Sequence, residues 1–208
     1  MKKKIVLIIF LILIILGIAF LIRNDNIKEI NNSLVYIESM NDEEIISGSG
    51  FVYKIKNNKN YILTNYHVIH DNKEIYVYNE NQKKERADVI YIDKLNDIAI
   101  ISIEDNLSLK SAKIGDSDKL RVNDTVYAIG TPENIKNFGT VTKGKILSLD
   151  ALSDIFDFSS IEISIQTTYG NSGGPLINTN GEVVGMLFLK DEYNDISYAI
   201  PINYILEH

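Results

Sequence analysis

From residue 33 onward the chain alternates short runs of β-branched and aromatic residues with clusters of Asn, Asp, Gly and Lys. That rhythm is the signature of many short strands joined by turns. Runs at 34–38, 50–55, 61–64, 74–78, 87–92 and 98–103 predict six strands of one barrel. After a polar stretch at 104–123 the pattern resumes at 125–129, 140–149, 161–166, 175–177, 183–189 and 197–200, which predicts a second barrel of similar size. The expected fold is therefore all-β, with two six-stranded antiparallel β-barrels over about 33–105 and 120–200 and a terminal helix near 201–208.

The N-terminus breaks this pattern. Lys2, Lys3 and Lys4 precede an uncharged apolar run over 5–22, whose 18 residues would extend about 27 Å as a helix. A cleaved signal peptide has the same basic start, but its apolar region is usually shorter, and residues 17–22 offer no small-x-small cleavage site. A retained single-pass transmembrane helix is the favoured reading. Three lysines before the run and only Arg23 directly after it orient the N-terminus to the cytoplasm and the rest of the chain outward. Residues 1–23 are thus assigned to a cytoplasmic tip and anchor, 24–32 to a polar tether, and 33–208 to the folded domain.

Composition narrows the function classes. With no cysteine among 208 residues, a disulfide framework, a thiolate metal site, a cysteine nucleophile and a lipoprotein anchor are all excluded. Four of the 21 basic residues lie in the anchor region, so 17 basic residues face 28 acidic ones in the remainder, a net charge of −11. Nucleic acid is not an expected partner of such a surface.

The segment Gly170-Asn171-Ser172-Gly173-Gly174-Pro175-Leu176 frames a serine with glycines. Glycines permit backbone conformations closed to other residues and let N–H groups approach a substrate, which makes Ser172 a candidate nucleophile. A serine hydroxyl needs a base to take its proton and a carboxylate to orient that base. His67, in Thr64-Asn65-Tyr66-His67-Val68-Ile69, follows a strand-like run, and Asp97 opens the β-branched run Ile98-Ala99-Ile100-Ile101.

These segments, in the order His, Asp, Ser, resemble the chymotrypsin-fold serine proteases, and more closely their HtrA/Deg group. Further matching pieces are Gly48-Ser49-Gly50-Phe51-Val52, Ile129-Gly130-Thr131-Pro132, Gly139-Thr140-Val141-Thr142-Lys143-Gly144 and Tyr198-Ala199-Ile200-Pro201. The resemblance implies a serine endopeptidase acting on unfolded proteins, and the apolar run at 5–22 would anchor it in the membrane with its site extracytoplasmic. His67, Asp97 and Ser172 would form the catalytic triad, and Gly170, Asn171 and Ser172 the oxyanion hole. Thr167, Thr168, Tyr169, Leu187, Phe188 and Leu189 would wall the substrate pocket. HtrA relatives commonly continue into a peptide-binding PDZ domain, which is not expected here.

One segment departs from the family. Only Thr168 and Tyr169 separate Gln166-Thr167 from Gly170, fewer residues than many HtrA members carry. No acidic residue sits in either pocket segment, which argues against a preference for Lys or Arg. No cofactor is expected. His67 and His70 stand three apart without a third ligand, so a metal is not expected either, and His70 and His208 read as surface residues. Oligomerisation is left open. A non-catalytic peptide-binding module on the same fold, and a serine esterase, stay as alternatives.

Overall fold

The computed structural model describes residues 9–14, 17, 26–40, 44–70, 74–191 and 193–207. The first seven strands are β1 (Leu34–Met40), β2 (Ile45–Lys56), β3 (Lys59–Thr64), β4 (Glu74–Tyr78), β5 (Lys84–Arg86), β6 (Asp88–Asp93) and β7 (Ile98–Glu104). They build one antiparallel sheet in the order β5-β4-β1-β2-β3-β7-β6. Local chemistry explains its tightest hairpin. Asn57 and Asn58, between β2 and β3, take φ of 52° and 59°, a two-residue turn for which asparagine is suited.

The expected first barrel requires correction, because this sheet does not close by hydrogen bonding. The run read as one strand at 87–92 begins at Asp88, and a separate β5 precedes it. Ala87 turns into the core and gives its N–H to the Ile75 carbonyl at 2.9 Å, which extends the β4–β5 register by one residue before the chain passes to β6. On either side, β5 pairs with β4 and β6 with β7. The two outer strands of the sheet are therefore consecutive in the chain. The curl is bridged covalently through Ala87, leaving a half-barrel.

The second lobe closes as expected. Strands β8 (Thr125–Gly130), β9 (Thr140–Ala151), β10 (Ser160–Ile163), β11 (Pro175–Ile177), β12 (Val183–Lys190) and β13 (Ser197–Pro201) form a barrel ordered β10-β13-β12-β11-β8-β9. Strand β10 is shorter than its apolar pattern, since pairing ends at Ile163 while Ile165 still fills the core at 2% exposure.

Alternation along the strands lets both faces be buried where the lobes meet. Val35 and Ile62 fill the first lobe, whereas their neighbours Leu34 and Leu63 face the other way, joining Phe51 and Ile98. These pack against Ile129, Ile177, Met186 and Ile200 of the second lobe. The cleft is seated on this shared core.

Residues 26–32, inside the segment read as a tether, are packed. They form a helical turn at 26–29 followed by a 3₁₀ turn at Ile30–Asn32, with Ile27 and Ile30 buried in the shared core. Two isoleucines three apart fall on one face of a helical turn, and burying each contributes roughly 1.5–3 kcal/mol. At the other end, the helix Ile202–Glu207 buries Ile202 and Ile205.

Of the apolar run 5–22, residues 9–14 and 17 are helical and exposed. Much of the expected membrane span, like His208, lies outside the described residues. No helix among those described is long and apolar enough to cross a membrane.

Candidate active site

His67 sits in the short helix Tyr66–Ile69, directly after β3 and Asn65. Val68 and Ile69 are buried in the first-lobe core, which pins the turn. Ser39 donates its hydroxyl to the Val68 carbonyl. His67 stays 43% exposed at its side chain, facing the cleft.

Asp97 ends the turn before β7 and takes a φ of 55°, a left-handed conformation that aspartate tolerates better than most residues. The conformation lets one residue clamp the whole 65–67 turn. Its Oδ2 meets His67 Nδ1 at 2.7 Å, and its Oδ1 accepts the His67 backbone N–H at 2.8 Å. Its carbonyl accepts from Asn65 Nδ2 at 3.0 Å and from the Tyr66 N–H at 3.2 Å. With Nδ1 donating to the carboxylate, the imidazole presents Nε2 with a free lone pair.

Ser172 lies across the cleft in the loop between β10 and β11, half-buried. Its backbone carbonyl accepts from the Ser49 N–H at 2.8 Å, which ties the loop to the first lobe. Ser172 and His67 line the same cleft without a hydrogen bond between them, and such bonds commonly tighten only when substrate arrives.

The loop is held in a form only glycine allows at two points. Gly170 has φ of 95°, and a Cβ there would press on the Thr131 carbonyl. Gly173 has φ of 81°, and a Cβ there would meet the Ser49 carbonyl and Thr64 Oγ1. The Tyr169 carbonyl accepts from the Glu133 N–H at 2.8 Å. In a trans peptide the N–H lies opposite the carbonyl, so the Gly170 N–H is directed away from Glu133. Among the described residues, neither the Gly170 nor the Ser172 N–H donates to a backbone carbonyl. Asn171 differs from these two. Its N–H is spent on the Thr168 carbonyl at 3.1 Å and it does not line the cleft, so it shapes the turn.

The cleft encloses about 740 Å³. All six expected wall residues line it: Thr167, Thr168, Tyr169, Leu187, Phe188 and Leu189. Leu187 and Phe188 are buried at its base, whereas Tyr169 is 75% exposed at its rim. Thr167 is fixed by Ser197, whose Oγ lies 2.8 Å from its hydroxyl and accepts its N–H at 3.1 Å.

Several contributors escaped the sequence reading. His70 is part of the rim rather than an outlying surface residue, with Nδ1 at 2.9 Å from the His67 carbonyl. Ile46 and Phe156 come from distant segments. Lys94 and Lys190 also line the cleft, one over the Tyr66 ring at 5.3 Å and the other over the Tyr169 ring at 4.2 Å. Nothing local marks these residues. Ser49 is different, because its position between Gly48 and Gly50 signals close backbone approach. Among the described residues no group of three His, Cys, Asp or Glu could hold a metal ion.

Comparison with known proteins shows the family and the fold. Residues 48–186 match the family model of the trypsin-like peptidase domain. The chain is 38% identical over 176 residues to the serine protease Do-like HtrA of Bacillus subtilis (strain 168), covering 80% of this chain and 39% of that protein. It is 35% identical over 165 residues to a probable periplasmic serine endoprotease DegP-like of Pseudomonas putida (strain W619), covering 77% of this chain and 33% of that protein. Among solved structures, the serine endoprotease from Yersinia pestis superposes with a TM-score of 0.76 at 29% identity, over 89% of this chain and 64% of that one. The chain spans well under half the length of these two curated relatives.

Proposed function

Since the chain belongs to the trypsin-like peptidase family, with HtrA/Deg serine proteases as relatives, we propose that it is a serine endopeptidase whose triad is His67, Asp97 and Ser172. The reading rests chiefly on the 2.7 Å tie between His67 Nδ1 and Asp97 Oδ2, in a cleft that Ser172 shares. Asp97 holds the imidazole so that Nε2 accepts the Ser172 hydroxyl proton as the oxygen attacks a peptide carbonyl. The N–H groups of Gly170 and Ser172 receive the oxyanion, with Asn171 supporting their turn. His67 passes the proton to the leaving amine, and water then hydrolyses the acyl-enzyme by the same steps.

Thr167, Thr168, Tyr169, Leu187, Phe188 and Leu189 form the specificity pocket. Apolar and hydroxyl-bearing walls favour cleavage after small or medium aliphatic residues. The apolar run at 5–22 anchors the protein with Lys2, Lys3 and Lys4 in the cytoplasm and the cleft outside. Unfolded or misassembled exported proteins are then the substrates within reach. The periplasmic description of the Pseudomonas relative supports an extracytoplasmic site of action.

Fluorophosphonate labelling with a casein digest tests the chemistry. The full-length chain should be labelled and should cleave casein, whereas Ser172→Ala should do neither while keeping its thermal midpoint. Labelling without casein cleavage would point to an esterase, and no labelling to a binding module. Protease shaving of intact cells tests the topology: a domain protected until lysis overturns the outward orientation.

A further inference from the structure

We infer that Ser49 is a positioning residue for the oxyanion loop, and that its hydroxyl locks the nucleophile's side of the cleft to the histidine's side; the assignment rests on the endopeptidase reading above. Ser49 is fully buried, in a strand of the first lobe. All of its polar atoms are engaged. The hydroxyl donates to the Gly170 carbonyl at 2.7 Å and accepts from the Thr131 N–H at 2.9 Å. The backbone N–H donates to the Ser172 carbonyl at 2.8 Å, and the backbone carbonyl accepts from Thr64 Oγ1, also at 2.8 Å.

These four bonds reach both proposed oxyanion donors and the approach to the His67 turn. Gly170 and Ser172 supply the two oxyanion donors, Thr64 leads into the His67 turn, and Thr131 precedes the residues whose backbone holds the Tyr169 carbonyl. The Gly170 peptide units are thus anchored on both sides: the carbonyl before Gly170 is held by the Glu133 N–H at 2.8 Å and the carbonyl of Gly170 itself by Ser49. The Gly170 N–H between them has no remaining rotational freedom. Removing the Ser49 hydroxyl orphans a buried carbonyl and a buried N–H together, and the cheapest relief is rotation of the Gly170–Asn171 peptide about the permissive Gly170 backbone. That rotation removes one of the two restraints on the Gly170 N–H and shifts the turn through Asn171 that carries the Ser172 N–H, without touching the substrate pocket.

The test compares the parent full-length chain with Ser49→Ala and Ser49→Cys on a peptide ester and a casein-derived peptide. Displacing one donor is expected to lower kcat by about 10- to 100-fold in Ser49→Ala, with KM unchanged within about twofold. Affinity for a peptide aldehyde, which mimics the tetrahedral oxyanion, should fall by the same factor as kcat/KM. Ser49→Cys, whose thiol remains a weak donor, should recover part of the loss. Equal kcat in parent and Ser49→Ala overturns the assignment. So does a rise in KM at constant kcat, or a loss of aldehyde affinity that Ser49→Cys fails to recover while folding at the parent's thermal midpoint. An inactive, unlabelled parent overturns the endopeptidase reading as well, which separates the two failures.

Discussion

The two lobes contribute different kinds of group to the cleft. The first lobe supplies side chains, His67 and Asp97, from an open sheet whose β6 carries Val89, Ile90, Tyr91 and Ile92 at 45%, 52%, 40% and 40% exposure. Beside the Ser172 hydroxyl, the second offers the backbone N–H groups proposed to receive the oxyanion, from a loop seated on a closed barrel. A side chain can be aimed by local clamps even beside an unpaired edge, and Asp97 does this with four hydrogen bonds to the 65–67 turn. A backbone donor has no rotamer to adjust. Its direction is set by φ and ψ alone, so it needs rigid surroundings on every side and ties from the neighbouring lobe.

The sharpest way to break this contrast is at the side-chain clamp. Asp97→Asn should keep the fold yet lower kcat by about 10⁴-fold, since the amide favours the wrong imidazole tautomer. Steady-state kinetics on a peptide substrate measures it, and near-parental turnover would mean that another group orients His67. On the backbone side, Gly170→Ala should cost about 10²- to 10³-fold in kcat/KM, because a left-handed alanine pressed on the Thr131 carbonyl moves its own N–H.

Stability should also divide the molecule. Phe51→Ala, in the core shared by both lobes, should cost about 3–5 kcal/mol in urea unfolding. Ile90→Ser on the exposed β6 should change stability by less than about 0.5 kcal/mol. Comparable losses at both positions would show that the open edge is not free.

A small acid effect is also expected on the closed barrel. Hydrogen bonds from Asn178 and then Lys113, each at 2.8 Å, hold the Glu182 carboxyl below its ordinary value. A carboxyl lowered by folding stabilises above its unfolded value, and the contribution is lost as pH falls through the folded one. Glu182→Gln should therefore show a deficit of under about 1 kcal/mol at neutral pH that fades as the solution is acidified below the ordinary glutamate range. Thermal melts across that range would detect it, and a pH-independent deficit would assign the effect to packing.

Most strands, and His67, Asp97 and Ser172 that the cleft brings together, were legible in the sequence because both signals are local. Alternation within a strand such as Tyr61-Ile62-Leu63 is imposed by the period of two, whatever the strand later packs against. Likewise the glycines around Ser172 report a backbone demand that can be recognised before the fold is known. The tertiary structure alone decided whether each sheet closed, since β5 pairs with β4 and β6 with β7 although only Ala87 separates them in the chain. It also decided that Ile27 and Ile30 dock instead of tethering, and that Ser49 meets a carbonyl 121 residues away. Those outcomes depend on which surfaces remain unburied once all the strands have paired, a property that no contiguous stretch of the chain contains.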